Sequence, residues 1–162
     1  MRSITKFALL SAIALGAVLF PQGVNAAPAR DGGASFKDVE GKEWLLSEVR
    51  SGGKTVTMDR QKLALDNLIG IYSLGFREGR LSGMGAPNRF TAPYSTGSNR
   101  YLSIGQAAST MMIAFREPEG LKEKEFFNYL AATQRWDLNQ GRLELYSKNP
   151  NGTEAVLVFM QK

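Results

Sequence analysis

The sequence predicts a mostly β (α+β) single domain, a curved antiparallel sheet or cracked β-barrel with one packed helix at about residues 121–133. Three observations lead there. Seven to nine short runs rich in β-branched, aromatic and leucine residues recur between Glu43 and Phe159. Turn-forming clusters separate them, as at Ser51-Gly52-Gly53 and Asn149-Pro150-Asn151-Gly152. A helically spaced apolar stripe occurs once, in Leu121, Phe126, Phe127, Leu130 and Ala131.

Taken in order, the first segment reads as an address. Arg2 and Lys6 precede the uncharged run Phe7–Phe20 (FALLSAIALGAVLF), then come Pro21 and the small-residue pattern Val24-Asn25-Ala26. The run's 14 residues reach about 21 Å as a helix, short of the ~30 Å hydrocarbon core. Residues 1–26 are expected to be a Sec-type signal peptide cleaved after Ala26, which sends the product to the periplasm or outside the cell. No Cys is present to carry a lipid, so a lipoprotein is excluded, and processing is expected to leave no integral membrane span. Residues 27–40 read as a flexible leader, the folded part beginning near Phe36 to Gly41 and the domain taken as 41–162. Cleavage would leave 18 Lys+Arg against 15 Asp+Glu, a mild net charge of +3 that suits solubility more than a polyanion-binding role.

Within the domain, Glu43–Val49 is a first strand and Thr55–Met58 a second. Residues 59–68 fit neither period and read as a loop or helical turn. Tyr72, Leu74 and Phe76 share a face at period two, with Arg77-Glu78-Gly79-Arg80 as a hairpin turn and Leu81 starting the return. Ser82–Pro87 is expected to break that strand. Asn88–Tyr94 then reads as an edge or bulged strand, because Pro93 donates no ladder hydrogen bond. Tyr101–Ile104 is another strand. After the helix, Trp136–Leu138 and Leu143–Tyr146 form a hairpin around Asn139-Gln140-Gly141, and Ala155–Phe159 closes the domain.

The chain contains no Cys and no His. That excludes a disulfide framework, a zinc ribbon, a cysteine nucleophile and the commonest general base. Asp137 and Glu144 face each other across the last hairpin, but as solvated strand positions. Ser82-Gly83-Met84-Gly85 lacks the Lys-Ser/Thr ending of a phosphate loop and reads as a tight turn. Asp31, Asp38, Asp59 and Asp66 lack calcium-loop spacing. No catalytic group, metal or cofactor is expected. Arg77, Arg80, Arg89 and Arg100 interleave with Phe90, Tyr94 and Tyr101, yet export argues against a nucleic-acid partner. Met111-Met112-Ile113-Ala114-Phe115 is either a segment buried on both sides or the hydrophobic lip of a cleft.

From Lys42 onward the order of features resembles the META domain, the HslJ-like family of small exported bacterial proteins. The resemblance rests on Trp44-Leu45-Leu46, Leu74-Gly75-Phe76, Ser82-Gly83-Met84-Gly85-Ala86-Pro87-Asn88-Arg89-Phe90 and Tyr94. It continues through Leu102-Ser103-Ile104-Gly105-Gln106-Ala107-Ala108-Ser109-Thr110-Met111-Met112, the helix with Phe126-Phe127-Asn128-Tyr129-Leu130, Gly141-Arg142-Leu143-Glu144-Leu145, and Val156–Phe159. It implies a link to envelope stress or secretion, and a fold like the cracked barrels of type III secretion pilotins. It carries no catalytic site. Many members place Cys where Pro87 and Ala114 stand here, so a cystine between those places is absent.

The expected function is a non-enzymatic exported protein that supports the envelope. It would bind a hydrophobic small molecule or lipid, or an envelope protein, and act as a monomer. An apolar groove would form from the 111–115 run and the Phe126/Phe127/Leu130 stripe. The alternative is a chaperone- or inhibitor-like module pairing through the edge strand at Asn88–Tyr94. A third reading is a hydrolase dependent on Ser82 or a carboxylate. The candidate binding residues are Arg80, Asn88, Arg89, Tyr94, Met111, Met112 and Phe126.

Overall fold

In the computed structural model, the described residues are 33–112, 118, 120–148 and 152–162. The expected signal peptide 1–26, Ile113–Phe115 of the apolar run and Asn149-Pro150-Asn151 of the last turn lie outside them. Ten strands and two helices follow in order: β1 (Glu43–Ser51), β2 (Lys54–Thr57), α1 (Arg60–Leu65), β3 (Ser73–Arg77), β4 (Arg80–Met84), β5 (Arg89–Thr96), β6 (Leu102–Ile104), β7 (Ala108–Ser109), α2 (Glu123–Ala131), β8 (Thr133–Asn139), β9 (Arg142–Lys148) and β10 (Glu154–Gln161). All strand pairs are antiparallel, in the order β6-β5-β4-β3-β1-β10-β9-β8. The two ends of this path approach each other through a Tyr101–Arg135 bridge and a bond from the Trp136 N–H to the Arg100 carbonyl (3.0 Å), so the sheet is nearly a closed barrel.

Three of the hairpins are two-residue turns with both central φ angles positive: Gly52-Gly53, Glu78-Gly79 and Gln140-Gly141. That is the turn whose twist matches the flanking strands, and its second position favours glycine. β1 holds the barrel together. Its start pairs with β3, its end with β2, and its whole length with β10, with a bulge at Ser47. Its inward residues Trp44 and Leu46 join Leu74, Phe76, Leu81, Leu102, Leu143, Leu145, Leu157 and Phe159 in a buried interior.

Both ends of the barrel are filled. At the start of β3 and β5, helix α2 lays Phe126 against Tyr72 (ring centroids 5.0 Å) and Phe90 (6.0 Å), with Leu130 buried beside them. At the end of β3, Phe36 sits on a short 3-10 turn (Phe36–Asp38) and packs on Phe76, Trp136 and Tyr94 at 5.1–5.5 Å. The turn is held by the Trp44 indole N–H donating to the Val39 carbonyl (3.0 Å) and by the Gly41 N–H donating to the Phe76 carbonyl (2.9 Å).

Several elements differ from the sequence reading. The fold starts at the early edge of the expected Phe36–Gly41 window, so residues 35–40 belong to it and not to a 27–40 leader, because Phe36 and Val39 give this polar stretch an apolar anchor. A second helix, α1, forms in the ambiguous stretch because Asp59 caps it, accepting from the Gln61 and Lys62 N–H groups (both 3.0 Å). β4 does not break at Ser82 but runs to Met84, the turn falling at 85–88 instead. Gly83 is a strand residue of necessity: a Cβ there would stand 2.0 Å from the Ser73 carbonyl oxygen. Among the described residues no helix is long and apolar enough to cross a membrane.

Candidate functional site

The most organised polar cluster lies where α2 begins. Asn88 follows the cis Ala86–Pro87 bond and is 6% exposed. Its Nδ2 donates to the Met112 carbonyl (3.1 Å) and to Glu123 Oε2 (2.7 Å); its Oδ1 accepts from the Met112 N–H (2.7 Å) and the Thr110 hydroxyl (2.8 Å). Glu123 Oε1 accepts from the N–H groups of Ala86 (2.6 Å) and Asn88 (2.7 Å). One side-chain pair therefore ties together the 85–88 turn, the 110–112 segment and the first turn of α2, where a carboxylate also meets the positive end of the helix.

Behind this latch lies a second fastener. Arg60 of α1 donates to the carbonyls of Leu46 (2.9 Å from Nε), Ile71 (2.8 Å) and Tyr72 (3.4 Å), and burial lowers its pKa to about 10. The Tyr72 N–H donates to the Gly85 carbonyl (3.1 Å) and the Tyr72 hydroxyl to the Leu121 carbonyl (2.7 Å), which joins the two fasteners. The latch thus rests on a densely hydrogen-bonded base. From it Met111 and Met112 project outward, 98% and 61% exposed.

This placement separates the predicted residues. Met111 and Met112 are exposed, which excludes the buried-segment reading for that pair and leaves a lip. Phe126, the expected wall of an apolar groove, is 0% exposed and faces the barrel interior, so the stripe on α2 is core and the groove between it and the methionines is not formed by these residues. Asn88 is spent on the latch. Tyr94 points inward against Phe76 (5.0 Å) and donates its hydroxyl to Glu40; burial, reinforced by that carboxylate, raises its pKa to about 12. Arg80 and Arg89 stand exposed on the outer face of β4 and β5.

The edge-strand alternative does not survive. β5 is flanked by β4 on one side and by β6 and β7 on the other; Pro93 is accommodated opposite Arg80, and its carbonyl accepts from the Gly105 N–H (2.8 Å). No free ladder is left from Asn88 to Tyr94. Ser82 is a mid-strand residue between Gly75 and Thr91, not a turn nucleophile. Asp137 and Glu144 do oppose each other, but each carboxylate is held by arginine, and Glu144 is buried while Asp137 is half-buried. Asp137 is bonded to Arg100 and lies 3.9 Å from Arg135; Glu144 is 6% exposed, accepts from the Tyr146 hydroxyl (2.6 Å) and lies 3.7 Å from Arg50. Burial, and then the Glu144 carboxylate, raise the Tyr146 pKa.

The sequence reading missed Glu123 and Arg60. Glu123 looks like one charge of the solvated run Lys122–Glu125, and its signal was its place in the first helical turn. Arg60 has no local signal, because its three acceptors come from β1 and the 71–72 segment.

Comparison with known proteins adds fold and family. The META domain family model matches residues 37–162. A protein from Burkholderia xenovorans, solved by NMR, is similar over 88% of this chain and 97% of its own, at 19% identity and a TM-score of 0.59. A DUF4847-family protein from Bacteroides vulgatus is similar over 77% of this chain and 95% of its own, at 14% identity and a TM-score of 0.50. These identities support a shared fold alone. No curated protein matches.

Proposed function

The chain belongs to the META-domain family, and on that premise we propose that it is an exported, non-catalytic envelope protein that holds a hydrophobic segment of a partner protein against Met111 and Met112. The observation that carries this reading is the pairing of extreme exposure with a fixed backbone. Met111 and Met112 are among the most exposed apolar side chains described, yet the Met112 N–H and carbonyl are both bonded to buried Asn88. Flexible thioethers on a densely hydrogen-bonded base adapt to varied apolar partners at low ordering cost. A partner segment fits better than an enclosed acyl chain, since aromatic side chains fill both ends of the described barrel. The signal-peptide pattern of residues 1–26 supports export, and the lack of His and Cys supports a role without catalysis.

The test is titration of the processed protein with apolar peptides from exported proteins and, separately, with phospholipid. Met111→Ser with Met112→Ser should weaken peptide binding by roughly tenfold or more, as expected for two buried side chains, with the melting temperature unchanged. Equal binding by both proteins, or no saturable binding to any peptide, would sink the reading. Recovery from the native host of a mature form that begins at Ala27 would test export directly.

A further inference from the structure

The two sides of the barrel treat their arginines differently. On the wall of β1, β8, β9 and β10, Arg50 pairs with Glu48 (3.0 Å), Arg142 with Glu48 (3.6 Å) and Arg135 with Asp137 (3.9 Å), while Arg100 reaches the same Asp137 from the turn between β5 and β6. Arg135 also lies 3.6 Å over the Tyr146 ring. On the wall of β3, β4 and β5, Arg77, Arg80 and Arg89 are exposed, and among the described residues their side chains enter no ion pair or hydrogen bond. The strand alternation that turns Leu74, Phe76, Leu81, Phe90 and Ala92 inward turns these cations outward onto one surface. The acids bordering it are Glu43, tied to Lys162 (2.9 Å), and Glu78 on the hairpin turn.

That surface is concave. A depression of about 540 Å³ is lined by Arg89, Ser73, Gly75, Ser82 and Met84. A second, of about 260 Å³, is lined by Arg80, Thr91 and Gln106. Ser82 and Thr91 are register partners, so the two depressions meet along β4. Arg89 stands opposite Met84, four residues along β4 from Arg80, which places the two cations roughly 13 Å apart at ~3.3 Å per residue.

We propose that this face is a docking groove for a linear anionic glycan. Unpaired guanidinium groups at both ends match carboxylate or sulfate groups repeating along a flexible polymer, which they grip bidentately. The Ser82 hydroxyl, the Gln106 amide and the Thr91 hydroxyl oxygen, whose own proton goes to the Leu81 carbonyl (3.2 Å), suit sugar hydroxyls. A nucleic acid would need exposed aromatic platforms, and Phe90, which borders the first depression, is only 4% exposed. A membrane would need exposed apolar side chains to enter hydrocarbon, and Met84 on this face is half-buried.

The test is titration of the processed protein with oligogalacturonate, with neutral dextran as control. Wild type should bind the anionic oligomer saturably, less tightly as salt rises, and dextran not at all. Arg77→Gln with Arg80→Gln and Arg89→Gln should weaken binding by about tenfold or more, from the loss of three exposed charge contacts. Arg142→Gln on the opposite wall should stay within about twofold, as expected of a charge already paired. Ser82→Leu, which fills the groove and keeps every charge, should also block binding. Unweakened binding by the triple variant, or no saturable binding by wild type, would overturn the proposal. So would Arg-dependent binding to phosphatidylglycerol vesicles or single-stranded DNA that is tighter than binding to the oligomer.

Discussion

Replacing Glu123 with Gln tests the latch with the least change of shape. Among the described residues the carboxylate accepts three short bonds, from the Ala86 and Asn88 N–H groups and from Asn88 Nδ2, at 2.6–2.7 Å. A glutamine oxygen replaces one carboxylate oxygen well enough, but its amide nitrogen then meets the Asn88 amide nitrogen, donor against donor. Asn88 gains nothing by turning over, because its Oδ1 already accepts from Met112 and Thr110 and its Nδ2 also serves the Met112 carbonyl. One bond is lost and two fall from charge-assisted to neutral, together roughly 2–4 kcal/mol. For a domain of this size that lowers Tm by roughly 6–12 °C. Urea unfolding at neutral pH is the assay, and the midpoint should fall with the m-value unchanged. Pairing Glu123→Ala with Asn88→Ala should cost less than the sum of the single losses, by roughly 1–3 kcal/mol. A Glu123→Gln stability within about 0.5 kcal/mol of wild type, or strict additivity of the pair, would refute the reasoning.

Other expectations follow from the same geometry. Phe36→Ala should cost about 2–3 kcal/mol by thermal unfolding, as it empties the aromatic socket of Phe76, Tyr94 and Trp136; a chain starting at Gly41 should lose at least as much. Tyr94 ionises near pH 12 in the fold against about 10 unfolded, so its contribution is whole below pH 10 and drains away between 10 and 12 as the unfolded state gives up its proton first. Tyr94→Phe should therefore flatten the fall in stability measured between pH 9 and 11, and an unchanged slope would count against the assignment. Gly83→Ala should break the β3–β4 pairing, because its methyl would overlap the Ser73 carbonyl and press on Phe90; circular dichroism of a soluble, normally melting variant would contradict this.

The barrel was largely legible because its signals are local. The turns at Gly52-Gly53, Glu78-Gly79 and Gln140-Gly141 announce themselves by residue type, and the period-two set of Tyr72, Leu74 and Phe76 and the helical spacing of Leu121, Phe126 and Leu130 mark buried faces. The absence of His and Cys, read from composition alone, had already removed the commonest site chemistries. What depended on distant partners was not legible. Asn88 looked like a binding residue and is a strut, because Glu123 and Met112 come to it from elsewhere in the chain. Phe126 looked like a groove wall and is core. Arg77, Arg80 and Arg89 resemble Arg50 and Arg142 in sequence, and only the sheet's register decides which of them meet a carboxylate. Spacing along the chain sets which way a side chain points, whereas its partner is set by the strand beside it, and that is a property of the closed sheet.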